Sequence, residues 1–171
     1  FKNLGKICLN YMSLKLPYVR SAFKEADVVI SAYPEAQTAI KKFFGRTSIL
    51  IPETGCSEFL YKSGTRKNMI WVGKNVARKQ FRIAAESFLK SELSRSEKLI
   101  VIGDFHDQEI RKWSNYKNIK FCGLISQNKV LEEIAKARAL LFTSVHEGNP
   151  SVIFEALTVS TPVICHDCFG M

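Results

Sequence analysis

Ala139-Leu-Leu-Phe142-Thr-Ser144-Val-His-Glu147-Gly-Asn-Pro150-Ser-Val-Ile-Phe-Glu155-Ala-Leu157 runs an apolar strand into a polar turn and out into a helix. Pro150 suits the first helical position, where its missing N–H would have had no partner. Asn149 before it is a good N-cap, with a side-chain oxygen able to accept from the next amides. Glu147 then lies on the loop, and Glu155 about one and a half turns into the helix. The free amides of Gly148, Ser151 and Val152 would face outwards and favour an anion. One carboxylate on the loop, one on the helix and amides between them suit a sugar–phosphate ligand, which offers hydroxyls to the acids and oxygens to the amides.

The same strand–turn–helix pattern extends on both sides of this stretch. Met69-Ile-Trp-Val72, Leu99-Ile-Val-Ile102, Ile119-Lys-Phe-Cys122 and Pro162-Val-Ile-Cys165 are short apolar runs that read as buried strands. Helical patterns are expected over residues 80–91, 107–115 and Gln127–Ala137. Alternating strands and helices define an α/β fold with a Rossmann-like parallel sheet covered by helices. In such sheets ligands bind beyond the carboxyl ends of the strands. Gly73, Lys74, Lys79, Asp104, Gly123, Glu147 and Asp167 all fall on loops at that edge.

Further upstream, Ala26-Asp-Val-Val-Ile-Ser31 and Thr47-Ser-Ile-Leu-Ile51 read as buried strands around a helix that opens at Pro34 and stops at Gly45. Residues 5–24 form a basic, mixed apolar helical stretch. Such a segment can lie on a membrane surface, although more often it is a helix whose polar face is simply solvated. A polar stretch over residues 57–67 reads as a linker. Two domains are therefore expected: residues 1–66 as the end of one domain with its linker, and residues 67–171 as a ligand-binding α/β domain.

With 171 residues, 46% hydrophobic and 24% charged, the chain has ordinary globular proportions. The net charge of +9 is spread along the sequence, without the like-charge run of a nucleic-acid arm. No recognition motif interleaves aromatic and basic residues, so nucleic acid is not an expected partner. Anionic nucleotide–sugars or an anionic membrane surface suit this charge. The five cysteines at positions 8, 56, 122, 165 and 168 lack framework spacing and read as buried free thiols of a reducing compartment. Cys165-His-Asp-Cys168 has no second ligand pair, so no metal is expected. No apolar stretch is long enough to span a bilayer, and no leader is visible. His146-Glu147 begins like a zinc-protease H-E-x-x-H motif, but Pro150 occupies the second histidine position.

Taken together, these motifs resemble the C-terminal domain of retaining GT-B glycosyltransferases, the family-four group (glycosyl transferases group 1) that builds bacterial polysaccharides. Glu147 and Glu155 match the E-x7-E acids within E-G-x-P-x-x-x-x-E-A. Gly73, Lys74 and Lys79 match G-R-L-x-x-x-K. Ile51-Pro52-Glu53-Thr54-Gly55 resembles V-I-P-x-G, Leu99–Asp104 resembles I-V-G-D-G, and Ile119–Gly123 resembles V-x-F-L-G. The resemblance implies transfer of a sugar from a UDP-, GDP- or ADP-linked donor to a saccharide or lipid-linked acceptor, with retention and without a metal. It implies a cytoplasmic enzyme, able to sit peripherally on the membrane. By the same resemblance Lys74 and Lys79 bind the diphosphate, and Glu147 meets the donor-sugar hydroxyls. Gly148, Asn149, Pro150 and Ser151 supply the loop, Glu155 holds the ribose, and Leu124 and Ile125 border the base.

Three positions depart from the pattern. Lys74 replaces an arginine and loses its bidentate phosphate fork. Phe105 replaces the second glycine of G-D-G, and Gln80 stands where glycine is common. A nucleotide-sugar 2-epimerase of the same fold, or a non-catalytic nucleotide- or anion-binding module, are the competing readings. By this resemblance residues 1–66 are the end of the family's N-terminal, acceptor-side domain. Because the earlier part of that domain has no counterpart in these residues, the chain by itself is expected to transfer no sugar. A turnover assay on the 171 residues with donor and acceptor sugars checks this, and measurable transfer would contradict it.

Overall fold

The computed structural model describes residues 14–51, 64–147 and 150–167. Contacts divide the chain into two units, Phe1–Glu53 and Thr54–Met171. The residues around that division, including most of the expected linker and the Pro52–Gly55 turn, lie outside the described ones, as do residues 1–13.

In the first unit, helix α1 (Pro17–Glu25) leads to strand β1 (Ile30–Ser31), helix α2 (Pro34–Phe44) and strand β2 (Ile49–Leu50). Of the helical stretch expected over residues 5–24, the part up to residue 13 lies outside the described residues, and within the rest the helix starts at Pro17. Proline disfavours helical geometry in the residue before it, and Leu16 is extended at φ −65°, ψ 135°. Gly45 closes α2 in the left-handed region (φ 68°), as expected of a C-terminal glycine. Strands β1 and β2 pair in parallel, Ile30 opposite Ile49. They are shorter than expected and not fully buried. Val29 and Ser31 face inwards, whereas Val28, Ile30, Ile49 and Ile51 are exposed.

The second unit is a five-stranded, all-parallel sheet built from β3 (Met69–Val72), β4 (Leu99–Ile102), β5 (Ile119–Gly123), β6 (Ala139–Phe142) and β7 (Val163–Cys165). Its spatial order is β5-β4-β3-β6-β7. Helices α3 (Phe81–Lys90), α4 (Asp107–Trp113), α5 (Gln127–Lys136) and α6 (Ser151–Thr158) connect the strands. Side chains alternate across β3, so Met69 and Trp71 enter one core and Ile70 the other. The first core gathers Phe81, Ala84, Ala85 and Phe88 of α3 with Trp113 of α4. The second gathers Val130 and Ile134 of α5 with Val152 and Ala156 of α6. With helices on both faces, the inner strands β3, β4 and β6 are apolar throughout, which is why these runs stand out in the sequence. The edge strands are less buried than expected and expose Lys120 in β5 and Ile164 and Cys165 in β7. All four helical spans and five strands expected here are present within a few residues. Two single-turn 3-10 segments, Ala77–Lys79 and Glu92–Arg95, were not expected.

Cys122 is half-buried and Cys165 exposed, both as free thiols, so the expectation of burial fails at Cys165. Burial pushes the Cys122 thiol above its ordinary value. Among the described residues no group of His, Cys, Asp and Glu could hold a metal ion, and Cys168 lies outside them. No described helix is long and apolar enough to cross a membrane.

Phe105 fills a gap in the first core, its ring 5.6 Å from Trp71, 4.8 Å from Phe81 and 5.1 Å from Phe121. The close backbone approach that a second glycine would have served occurs instead at Gly103. Gly103 has φ 143°, and a Cβ built there would lie 1.8 Å from the Gly73 carbonyl oxygen. Only glycine fits, because the carbonyl belongs to a loop tied down by Gly73 N–H to Ile102 and Asn75 N–H to Asp104. Gly103→Ala is expected to destabilise the second unit by more than about 2 kcal/mol, read from urea unfolding.

Candidate donor-binding site

The sheet order places β3 between β4, whose crossover covers one face, and β6, whose crossover covers the other. The loops after β3 and β6 therefore part company and leave a crevice between them. A cavity of about 370 Å³ lies there, and its walls include Gly73, Arg78, Lys79, Gln127, Glu147, Pro150, Ser151 and Glu155. A larger hollow, about 530 Å³, lies in the first unit beside Gln37, Thr38 and Lys41. It has cations and hydroxyls but no carboxylate facing them, so its size does not make it the better candidate.

The two loops are stapled together by backbone and hydroxyl bonds. The Thr143 hydroxyl donates to the carbonyls of Lys79 (2.9 Å) and Gln80 (3.1 Å), and accepts from the Trp71 indole N–H at 3.2 Å. The Val145 amide donates to the Arg78 carbonyl at 2.9 Å. The turn Ala77–Lys79 then passes into α3 through Gln80, which is left-handed at φ 49°, ψ 44°. A side chain in that conformation costs about 1 kcal/mol, which explains a preference for glycine there.

Glu147 is buried at the floor of the crevice with two cations on one oxygen. Lys79 Nζ lies 2.7 Å from Oε1, and the Arg78 guanidinium bonds the same atom. Burial alone would raise the Glu147 pKa. Burial is the largest single influence, but the Lys79 hydrogen bond, the nearby Ser144 hydroxyl and the charges of Lys79 and Arg78 together outweigh it and hold the carboxyl below its ordinary value. Ser144 Oγ is itself buried, and its geometry falls short of a full hydrogen bond. Lys79 is 15% exposed and also lies over the Phe142 ring at 5.1 Å, so its ammonium has little freedom to leave.

Glu155 is the second buried acid. Gln127 Nε2 donates to its Oε1 at 2.8 Å, which leaves Oε2 for a ligand. Burial pushes the Glu155 pKa up, and the Gln127 bond only partly opposes it.

The sequence-derived candidates divide as follows. Gly73, Lys79, Pro150, Ser151, Glu147 and Glu155 share the cavity. Lys74 does not line it. Its Nζ lies 3.5 Å from Asp104, with both side chains largely in water. The expected convergence of Lys74 with Lys79 is absent here because the Asn75–Asp104 backbone bond draws this part of the loop towards β4. Leu124 is exposed at the end of β5, and Ile125 packs against the second core. Gly148 and Asn149 lie outside the described residues, so the N-cap expected at Asn149 does too. Pro150 is not the first helical residue. Its ψ of 92° is extended, and α6 begins at Ser151, with Ile153 N–H bonding the Pro150 carbonyl. Sequence reading missed Arg78 and Gln127. Arg78 was hidden in a segment read as open loop, and Gln127 looked like an ordinary first-turn polar residue.

Fold and site together define a doubly wound α/β domain with a charged crevice at its switch point. The chain belongs to the glycosyl transferases group 1 family, whose model matches residues 66–171, and its fold is of the GT-B type. It is 25% identical over 175 residues to TuaC of Bacillus subtilis (strain 168), which carries the name of a teichuronic acid biosynthesis glycosyltransferase. That match takes in 90% of this chain and 44% of the relative. A TarM variant from S. aureus, solved with fondaparinux, α-GlcNAc-glycerol and UDP, superposes with a TM-score of 0.73 at 15% identity, over 88% of this chain and 32% of that one. Anabaena HepE, solved with UDP and glucose, gives 0.68 at 20% identity, over 87% and 46%. The chain thus spans less than half the length of these relatives.

A carboxyl with a raised folded pKa binds protons more readily in the native state than in the unfolded one. Its contribution to stability is therefore present at low pH and lost as pH rises through the raised value. Glu155→Gln removes this cost, so its melting temperature should exceed wild type by about 2–5 °C at pH 7. The advantage should vanish below the ordinary carboxylate range, as scanning calorimetry against pH would show.

Proposed function

We propose that this chain supplies the donor-binding half of a retaining glycosyltransferase that acts in cell-surface polysaccharide synthesis. One observation carries the reading: two buried acids of opposite pKa tendency face one crevice, with Lys79 and the start of α6 beside them. In this reading Lys79 and the Ser151 and Val152 amides receive the diphosphate of a nucleotide-sugar. Glu147, kept ionised by its cations, accepts from donor-sugar hydroxyls. Glu155 accepts from ribose hydroxyls through the oxygen that Gln127 leaves free, and Leu124 with Ile125 borders the base.

Charge develops on the leaving diphosphate as the glycosidic bond breaks. A fixed ammonium in a partly dried crevice stabilises that charge without a metal. Two structural neighbours bind UDP by their own descriptions, which supports a uridine nucleotide as the first ligand to test. The acceptor, a saccharide or lipid-linked sugar, would be read outside this crevice, on the cytoplasmic side of a membrane.

Thermal shift with UDP, GDP and ADP tests the reading. One of them is expected to stabilise the chain by about 2–3 kcal/mol at a hundredfold excess over its dissociation constant. Lys79→Gln and Glu155→Gln should each remove most of that protection. Failure of all three nucleotides to shift the transition of the wild type would overturn it, as would protection of the same size in both variants.

A further inference from the structure

We propose that Arg78, and not Lys74, is the second cation that holds the diphosphate, an inference that rests on the donor-site reading above. Arg78 lines the cavity and Lys74 does not. Lys74 is 70% exposed and paired with an Asp104 that is 55% exposed, an arrangement in which water already satisfies the ammonium. Arg78 starts from a fixed point, because its carbonyl is held by Val145 and the next carbonyl by Thr143. Its side chain is half exposed and lines the cavity, with one guanidinium nitrogen on Glu147.

The chemistry fits an anion with several oxygens. A guanidinium carries five N–H donors in a planar fork, and the Glu147 bond occupies only part of it. Arg78 and Lys79 also place two positive charges on the one carboxylate of Glu147, more than that carboxylate alone neutralises. Two cations on the same carboxylate oxygen compete for it, so an incoming phosphate oxygen gives Arg78 a second acceptor without uncovering Glu147, which keeps Lys79. Arg78 would act as a binding residue that restores the bidentate fork lost at position 74.

Calorimetric titration of UDP and of uridine, with GDP/guanosine and ADP/adenosine in parallel, tests this on wild type, Arg78→Gln, Arg78→Lys and Lys74→Gln. Arg78→Gln is expected to weaken the diphosphate ligand about ten- to a hundredfold and leave the nucleoside within about twofold. Arg78→Lys should fall between, and Lys74→Gln should lose less than about threefold. Equal losses for nucleotide and nucleoside in Arg78→Gln would mark a merely structural role and overturn the inference. So would an unchanged UDP affinity in Arg78→Gln, or a loss in Lys74→Gln as large as that in Arg78→Gln. If wild type binds none of the three nucleotides, the donor-site reading itself falls, and this assignment falls with it.

Discussion

A parallel sheet whose central strand sends its neighbours' crossovers to opposite faces must leave a gap at its carboxyl edge, and the rest of this site depends on that gap. Strands β3 and β6 end at Val72 and Phe142, so most of the chain beyond them has to find new partners or remain in water. Here the partners are found across the gap. Thr143 reaches the Lys79 carbonyl and Val145 reaches the Arg78 carbonyl, so two loops that diverge in topology are joined by hydrogen bonds.

The buried charges follow from that union. An unpaired carboxylate at the position of Glu147 would carry a desolvation cost of several kcal/mol. Lys79 and Arg78 offset it because the turn that bears them is fixed opposite. Among the described residues Glu155 meets no cation and is bonded by the Gln127 amide, so it retains a proton more readily. The two acids of one motif therefore differ in character for a local reason: one faces the loop after β3 and the other faces the start of α5.

The fold was legible because burial on both faces forces uninterrupted apolar strands, as in Met69–Val72 and Leu99–Ile102, and no surface constraint obscures them. The first unit was less legible. Val28 and Ile30 carry the same β-branched signature as core residues yet face outwards, and composition cannot tell which face of a strand is covered. In the site, Glu147 and Glu155 were singled out by their spacing on one loop and helix and Lys79 by its place in a motif, and one cavity gathers all three. Lys74 and Arg78 were not, because which cation enters the crevice is decided by a single 3-10 turn and by the Asn75–Asp104 bond, and neither has a sequence signal of its own. Pro150 was misplaced by one position for a similar reason, since its ring fixes φ but leaves ψ to the surroundings.

The indole of Trp71 is almost wholly enclosed in the core, yet its N–H ends on the hydroxyl that holds the Lys79 carbonyl. Core packing and the wall of the crevice are thus a single rigid body, not a scaffold with a loop upon it. A ligand that lands on this wall meets groups whose ordering entropy was already lost when the chain folded, so affinity here is gained by preorganisation. Whatever closure such a ligand provokes has to be supplied by parts of the molecule other than this wall.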